Sequence, residues 1–270
     1  MREITGVSFV GGGNMATAII EAVLSSGIIP ANKISVFEPS DERKAVLRNK
    51  GVNVADSNLE LVKKNDPLFI AVKPQVFDTV LNEIQGEVEN SCVVSIAAGV
   101  SVSHIKSILG DRIPVIRALP NTPMLVLRGM TVLAETEDVS PEIFNFVKGI
   151  FSAAGEVVVL PEDKINEAIP LSSSSPAFFF RMLDAMAKAG EKSGISYEDA
   201  FRLSAVAMMG SAHYAFISEK KPQELIDQVS SPGGTKVAAL TAFDDFDFEK
   251  LILEATERCI DRAYELGGQR

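Results

Sequence analysis

Three consecutive glycines, Gly11-Gly12-Gly13, separate the apolar run "VSFV" from the helical pattern "NMATAII". Glycine loses more conformational freedom on folding than any other residue, so a run of it needs a local reason. Either this is a tight turn between a buried strand and a buried helix, or it is a turn stripped of side chains so that a phosphate can approach a helix start. Gly11, Gly13 and Ala16 fit the G-x-G-x-x-A form of dinucleotide-binding turns, placed at a first strand-to-helix connection as that form requires. In this reading Gly11 permits the turn, Gly13 the approach of a pyrophosphate and Ala16 the packing of helix on strand.

The alternation continues. "GVSFV", "ISVFE", "VNVA", "PLFIAV", "CVVSIAA", "IPVIRAL", "MTVLAE" and "EVVVL" read as strands, several apolar throughout as in strands covered on both faces. Between most of them lie helical patterns, "NMATAIIEAVLSSG", "DERKAVLRNKG", "LELVKK", "VFDTVLNEI" and "VSHIKSIL", with Gly27 and Gly51 as stops. This predicts an α/β N-terminal Rossmann-type domain over residues 1–161, built on a parallel, doubly wound sheet.

After Pro161 the pattern changes, and residues 162–270 read as an all-α C-terminal domain. "SPAFFFRMLDAMAKAGEKSG" puts Phe179, Met182, Leu183 and Met186 on one face, and "EDAFRLSAVAMMGSAHYAFISE" is apolar nearly all round. A helix that apolar is covered on most sides. Either the domain buries these faces in itself or a second copy of the chain covers them, and the surplus of apolar surface favours a homodimer.

Composition narrows the partners. A formal net charge of −10, with short runs of mixed sign, argues against nucleic acid. The chain has no apolar stretch near the ~20 residues of a membrane span and no signal-peptide pattern. Cys92 and Cys259 lie in apolar or helical patterns and read as buried, reduced thiols, which fits the cytoplasm. His104 and His213 stand apart with no metal-ligand spacing.

Three further stretches end apolar segments in Pro, Gly and small polar residues: "AVKPQ", "RALPNTP" and "SSPGGT". Each reads either as a plain turn or as part of a site. The first two fall at the carboxyl ends of strands, the edge at which open α/β sheets bind ligands. The third precedes a helix, where backbone N–H groups make an anion site. For the cofactor, Glu38 at the end of the second strand can hold a ribose 2′-hydroxyl and repel a 2′-phosphate, unless it is a merely exposed strand end. Ser40 and Arg43 can instead bind that phosphate, and the choice between NAD and NADP stays open.

In order, "FVGGGNMATAII", "AVKPQ", "VVSIAAGVS", "RALPNTP", "SSSSPAF" and "VSSPGGT" resemble the pyrroline-5-carboxylate reductase family over nearly the whole chain. The resemblance implies a Rossmann domain, a helical domain that interleaves with its partner in a homodimer or an assembly of dimers, and NAD(P)H-dependent reduction of 1-pyrroline-5-carboxylate to L-proline. NADP(H) is slightly favoured by the family, while Glu38 argues that NAD(H) is used too. It further implies that Gly11, Gly13, Asn14 and Met15 touch the cofactor diphosphate and Ser40 lies near the adenosine ribose. Ala71, Lys73, Pro74, Asn121 and Thr122 would line the nicotinamide end. Ser231, Gly233, Gly234 and Thr235 would hold the substrate carboxylate, with Glu219 near the substrate of the partner subunit.

This chain departs from the family at two places. Where the family reads L-S-G-S-G-P-A-Y, it has Ser173, Ser175 and Phe178; where a second threonine follows the glycines, it has Lys236. No His/Asp or Ser/Lys constellation assigns a catalytic acid, so Ser231 and Thr235 would act by positioning, which suffices for an already electrophilic iminium. The alternatives are reduction of a related cyclic imine or keto acid, or a non-catalytic dinucleotide sensor. A β-hydroxyacid dehydrogenase would show a catalytic lysine that neither Lys164 nor Lys188 matches in context.

Overall fold

The computed structural model describes residue 4 and residues 6–62, 67–88 and 91–268. Eight strands, β1 (Val7–Val10), β2 (Ile34–Phe37), β3 (Asn53–Val54), β4 (Leu68–Ile70), β5 (Val93–Ser95), β6 (Val115–Leu119), β7 (Gly129–Ala134) and β8 (Gly155–Leu160), lie where the apolar runs place them. They form one sheet in the order β3-β2-β1-β4-β5-β6-β7-β8. The sheet is parallel from β3 to β6, but β7 runs antiparallel to β6 before β8 resumes parallel to β7. The expected parallel, doubly wound sheet is thus present, with one antiparallel pair at β6–β7. The β6–β7 connection is too short to hold a crossover helix, so the chain returns the way it came.

Helices α1 (Asn14–Ser26), α2 (Asp41–Asn49), α3 (Asn58–Val62), α4 (Pro74–Ile84) and α5 (Val102–Leu109) match the five helical patterns; the end of "LELVKK" lies outside the described residues. Gly27 and Gly51 stop α1 and α2 at φ of 70° and 79°. A sixth helix, α6 (Pro141–Ser152), was not anticipated, although its start is written in the sequence: Ser140 caps it and Pro141 opens it. Phe9, Ile19, Phe69 and Phe151 pack on one face of the sheet, and Phe77, Leu81, Ile84 and Ile105 on the other. Both faces are covered, which is why the central strands are mainly apolar.

The chain forms two compact units. The sheet unit continues through Ser174 and takes back the residues from Cys259 onward. It therefore includes α7 (Ile165–Ala168), a π-helical turn (Ile169–Ser173) and the end of α12 (Phe248–Leu266). Cys92 is buried, and desolvation pushes its thiol up to about 12, which keeps it protonated and inert. Cys259 is free but only half-buried, a correction to the expectation of two buried thiols; its S–H donates to Ser174 Oγ at 3.3 Å.

The second unit, Ser175–Arg258, contains α8 (Ser175–Lys192), α9 (Tyr197–Ile217), α10 (Pro222–Val229), α11 (Thr235–Asp245) and the start of α12. Helices α8 and α9 form a hairpin in which Gly190 admits Ala200 so closely that an added Cβ would sit 2.6 Å from the alanine's own. Of the stripe on α8, Leu183 is buried, whereas Phe179, Met182 and Met186 are exposed in the single chain. On α9 Leu203, Val206, Met209 and Phe216 are each more than half exposed. No described helix is long and apolar enough to cross a membrane.

Candidate functional site

Between β1 and β4 the sheet changes its direction of growth, which opens a crevice at the carboxyl ends of those strands. Two turns meet there. The Gly11 N–H donates to the Phe37 carbonyl at 2.9 Å and the Ala71 N–H to that of Val10 at 2.8 Å, so both turns continue the ladder. Gly11 has φ of +96°, and a Cβ on it would lie 2.7 Å from the Ala71 carbonyl oxygen. Gly12 is excluded from bearing a side chain by packing, since a Cβ would lie 2.7 Å from Leu47 Cδ1 and 3.1 Å from Glu38 Cβ. Gly13 is different. Its backbone is extended, at φ −67° and ψ −179°, and an added Cβ would meet only Arg43 Nη1, at 3.4 Å. The fold gives no reason for glycine at this position; the space it leaves is open.

Gly13 is also the N-cap of α1, with no side-chain hydrogen bond and no acidic residue in the first turn. Helices α2, α5 and α6, by contrast, are capped by Ser40, Ser101 and Ser140. The first amides of α1 thus keep free donors at the positive end of the helix dipole, where an anion is stabilised. Asn14 is exposed there and Met15 half-buried. The Arg43 guanidinium reaches over the turn, donating to the Gly12 carbonyl and to Asn14 Oδ1 at 3.5 Å each. Contacts that long are weak and readily exchanged for a phosphate oxygen. The uncapped amides of α1 therefore fit the diphosphate of a dinucleotide, and the Arg43 guanidinium fits a further phosphate beside it.

Glu38 is buried, not an exposed strand end. Its Oε2 accepts the Gly12 N–H at 2.9 Å and its Oε1 the Ser40 N–H at 3.0 Å. The carboxylate latches the glycine turn to the start of α2. Ser40, half-buried, accepts the Arg43 N–H at 3.4 Å. At the other turns, exposed Lys73 and Pro74 open α4 without a side-chain cap. Asn121 is buried with both ends of its amide engaged: Nδ2 donates to the Ser172 carbonyl at 3.0 Å and Oδ1 accepts the Met130 N–H at 2.9 Å. It is a clamp that presents Thr122, which is exposed at the start of a 3-10 turn (Thr122–Val126). That turn ends on Leu127 at φ of +55°, a left-handed conformation costly for a residue with a side chain.

The second unit repeats the device. Gly233 turns the chain at φ of +70°, the Gly234 N–H donates to the Ser231 carbonyl at 3.0 Å, and Gly234 caps α11 with no side-chain bond and no acid in the first turn. Ser231, Gly233, Thr235 and Lys236 are exposed and Gly234 half-buried. The Lys236 ammonium makes no hydrogen bond or ion pair among the described residues. Glu219, exposed just past the end of α9, does not pair with it.

A family model described as pyrroline-5-carboxylate reductase dimerisation matches residues 162–266, and one described as NADP oxidoreductase, coenzyme F420-dependent, matches residues 6–99. The pyrroline-5-carboxylate reductase of Escherichia coli (strain K12) is 37% identical over 262 residues, which cover 96% of this chain and 97% of the relative. The chain belongs to the pyrroline-5-carboxylate reductase family. The family's solved structures agree: that from Coxiella burnetii superposes with a TM-score of 0.89 at 31% identity, covering 98% of this chain and 99% of its own. That from Plasmodium falciparum, with NADP bound, has a TM-score of 0.90 at 25% identity and covers 99% and 100%.

As a member of the pyrroline-5-carboxylate reductase family, the chain carries a dimerisation domain. Its serine departures need no special backbone. Ser173 ends the π-helical turn and Ser175 opens α8, and neither has a positive φ, so serine fits where the family has glycine. Phe178 is half-buried on α8. Sequence reasoning overlooked two residues. Gly12 is required by Leu47, a contact across the fold that no local pattern announces. Arg117 was visible as a guanidinium inside the apolar run "IPVIRAL", and a charge there signals a buried partner.

Proposed function

We propose that the protein reduces 1-pyrroline-5-carboxylate to L-proline at the expense of NAD(P)H, the last step of proline biosynthesis. One observation carries the reading: each unit holds a helix start led by glycine and left without a cap, Gly13 before α1 and Gly234 before α11. A diphosphate suits the first, lying in a Rossmann crevice, and a carboxylate suits the second. A dinucleotide sensor would need only the first. In the proposed division of labour residues 1–161 bind the dinucleotide, and residues 162–270 form the homodimer and hold the substrate.

A reduced nicotinamide held in the crevice would supply the hydride that the imine carbon accepts. The chain does the rest by placement. The amides of Gly233, Gly234 and Thr235, with the Ser231 and Thr235 hydroxyls, hold the ring by its carboxylate. Ala71, Lys73, Pro74 and Thr122 set the nicotinamide face, with Asn121 behind them. A protonated imine is already electrophilic, so orientation supplies most of the rate and no strong protein acid is needed. Lys236, solvent-facing in the single chain, stands at the rim of the Gly233–Gly234 turn.

Purified protein should consume NADPH with 1-pyrroline-5-carboxylate and form proline stoichiometrically. Turnover of keto acids in its place would shift the substrate assignment, and absence of any turnover would leave a sensor. For the cofactor, Arg43 and Ser40 make the 2′-phosphate site, because the Glu38 carboxylate is engaged by two backbone amides. A charged hydrogen bond contributes about 1.5–3 kcal/mol, so Arg43→Ala should lower kcat/KM for NADPH by about 10- to 100-fold. With NADH the change should stay within about threefold, a factor of ~0.65 kcal/mol. Equal losses with both cofactors would place Arg43 on the diphosphate.

A further inference from the structure

Arg117 lies at the middle of β6 with 3% of its surface exposed, and nothing in the proposed chemistry uses it. Its Nη2 donates to Asn166 Oδ1 at 2.6 Å and its Nη1 lies 3.7 Å from Glu162 Oε1. That same Glu162 oxygen accepts the N–H of Val102, the first residue of α5, at 2.7 Å. Beside this cluster the Tyr264 hydroxyl donates to Glu167 Oε1 at 2.7 Å, which joins the end of α12 to α7. Close by, Gly99 in the β5–α5 loop packs so tightly on α12 that a Cβ would lie 2.8 Å from the Ala263 carbonyl oxygen. One buried cation therefore stands among strand β6, the β5–α5 loop, the segment after β8 and the last turns of the chain. Burial lowers the Arg117 pKa, opposed by Glu162, Tyr264 and Glu167.

Such a charge is costly to desolvate, and hydrophobic residues of similar volume often stabilise a fold more than a buried ion pair does. Its placement suggests a different use. Four residues beyond Arg117 comes Asn121, clamped between the backbones of Met130 and Ser172, and then Thr122. The guanidinium anchors Glu162 and Asn166 at one end of the segment whose other end, at Ser172, holds the Asn121 clamp.

We propose that Arg117 is a positioning residue that sets the nicotinamide edge of the sheet by fastening the Glu162–Asn166 segment beneath it, without touching cofactor or substrate. The proposal rests on the reading of Thr122 and Asn121 as the nicotinamide end, but its first test needs no turnover.

In Arg117→Met the apolar stem is kept and the fork is lost. Titrated with NADPH, the variant should keep its Kd within about threefold, because the diphosphate site at Gly13 lies at the start of α1, apart from the cluster. The emission of the bound reduced nicotinamide should fall toward that of the free cofactor. With pyrroline-5-carboxylate, kcat should drop at least tenfold with KM for the imine little changed, and the primary isotope effect from deuterium at the transferred position should rise. Arg117→Lys, which restores the charge but not the fork, should fall between wild type and Arg117→Met in both emission and kcat, and decides the matter alone if the methionine variant does not fold. Wild-type emission and kcat in a folded variant would overturn the proposal, as would loss of NADPH affinity in step with kcat. If the wild type does not reduce pyrroline-5-carboxylate, the substrate reading fails, while the emission test still judges Arg117.

Discussion

Gly13→Val should fold as the wild type does and lose NADPH affinity by at least 100-fold, about 2.7 kcal/mol. Position 13 has an extended backbone that any residue adopts, so valine adds no strain. Its Cβ would meet only the flexible end of Arg43, at 3.4 Å. The added methyls would occupy the approach to the α1 amides, which a diphosphate must reach within about 3 Å to accept their hydrogens. A melting temperature within about 2 °C of wild type, beside absent fluorescence titration, is the expected pair of results. Gly11→Val should behave in the opposite way. There φ is +96° and the side chain would press on the Ala71 backbone at 2.7 Å, so stability itself is lost. If Gly13→Val binds NADPH as tightly as the wild type, the diphosphate does not lie on this turn.

The second large effect is expected at the surface of α9. Met209 is 68% exposed in the single chain, in a row with Leu203 and Val206. Scattered apolar residues need no explanation, but a row on a helix with only Ala200 and Ser204 buried marks an interaction face. In a symmetric homodimer a substitution enters twice. Met209→Glu would bury two unpaired carboxylates, and an uncompensated buried charge costs about 3–5 kcal/mol. Dimerisation should weaken by several orders of magnitude, giving a monomer in sedimentation at micromolar concentration with turnover reduced at least 50-fold. A fully active dimer carrying this substitution would put the interface on another face. The same substitution leaves the α8–α9 contact through Gly190 and Ala200 intact, so helicity by circular dichroism should not change.

Much of this was legible in the chain because it depends on local chemistry. Most strands of the sheet are short, mainly apolar runs, and the glycine turn announces itself by composition. Helix α6 is equally local, with its Ser140-Pro141 start. The reversal at β7 follows from the length of one connection, a quantity readable in the sequence once β6 and β7 are delimited.

What the sequence determined by itself, then, is the order of elements, the Rossmann architecture, the position of both glycine-led turns and the family that shares them. These are set by hydrophobic period, turn chemistry and spacing, all of which act between near neighbours. Only the tertiary structure decided what the polar side chains do. Glu38 latches Gly12 to Ser40, because two amides separated in sequence converge on it. Asn121 became a clamp because the Ser172 carbonyl, 51 residues away, lies against it. Tyr264 found Glu167 across 97 residues, and the end of α12 joined the sheet unit. A carboxylate, amide or guanidinium can serve a ligand or its own backbone equally well in isolation. Which of the two it serves is set by the unsatisfied donors and acceptors that folding brings within 3 Å of it, and those come from anywhere in the chain.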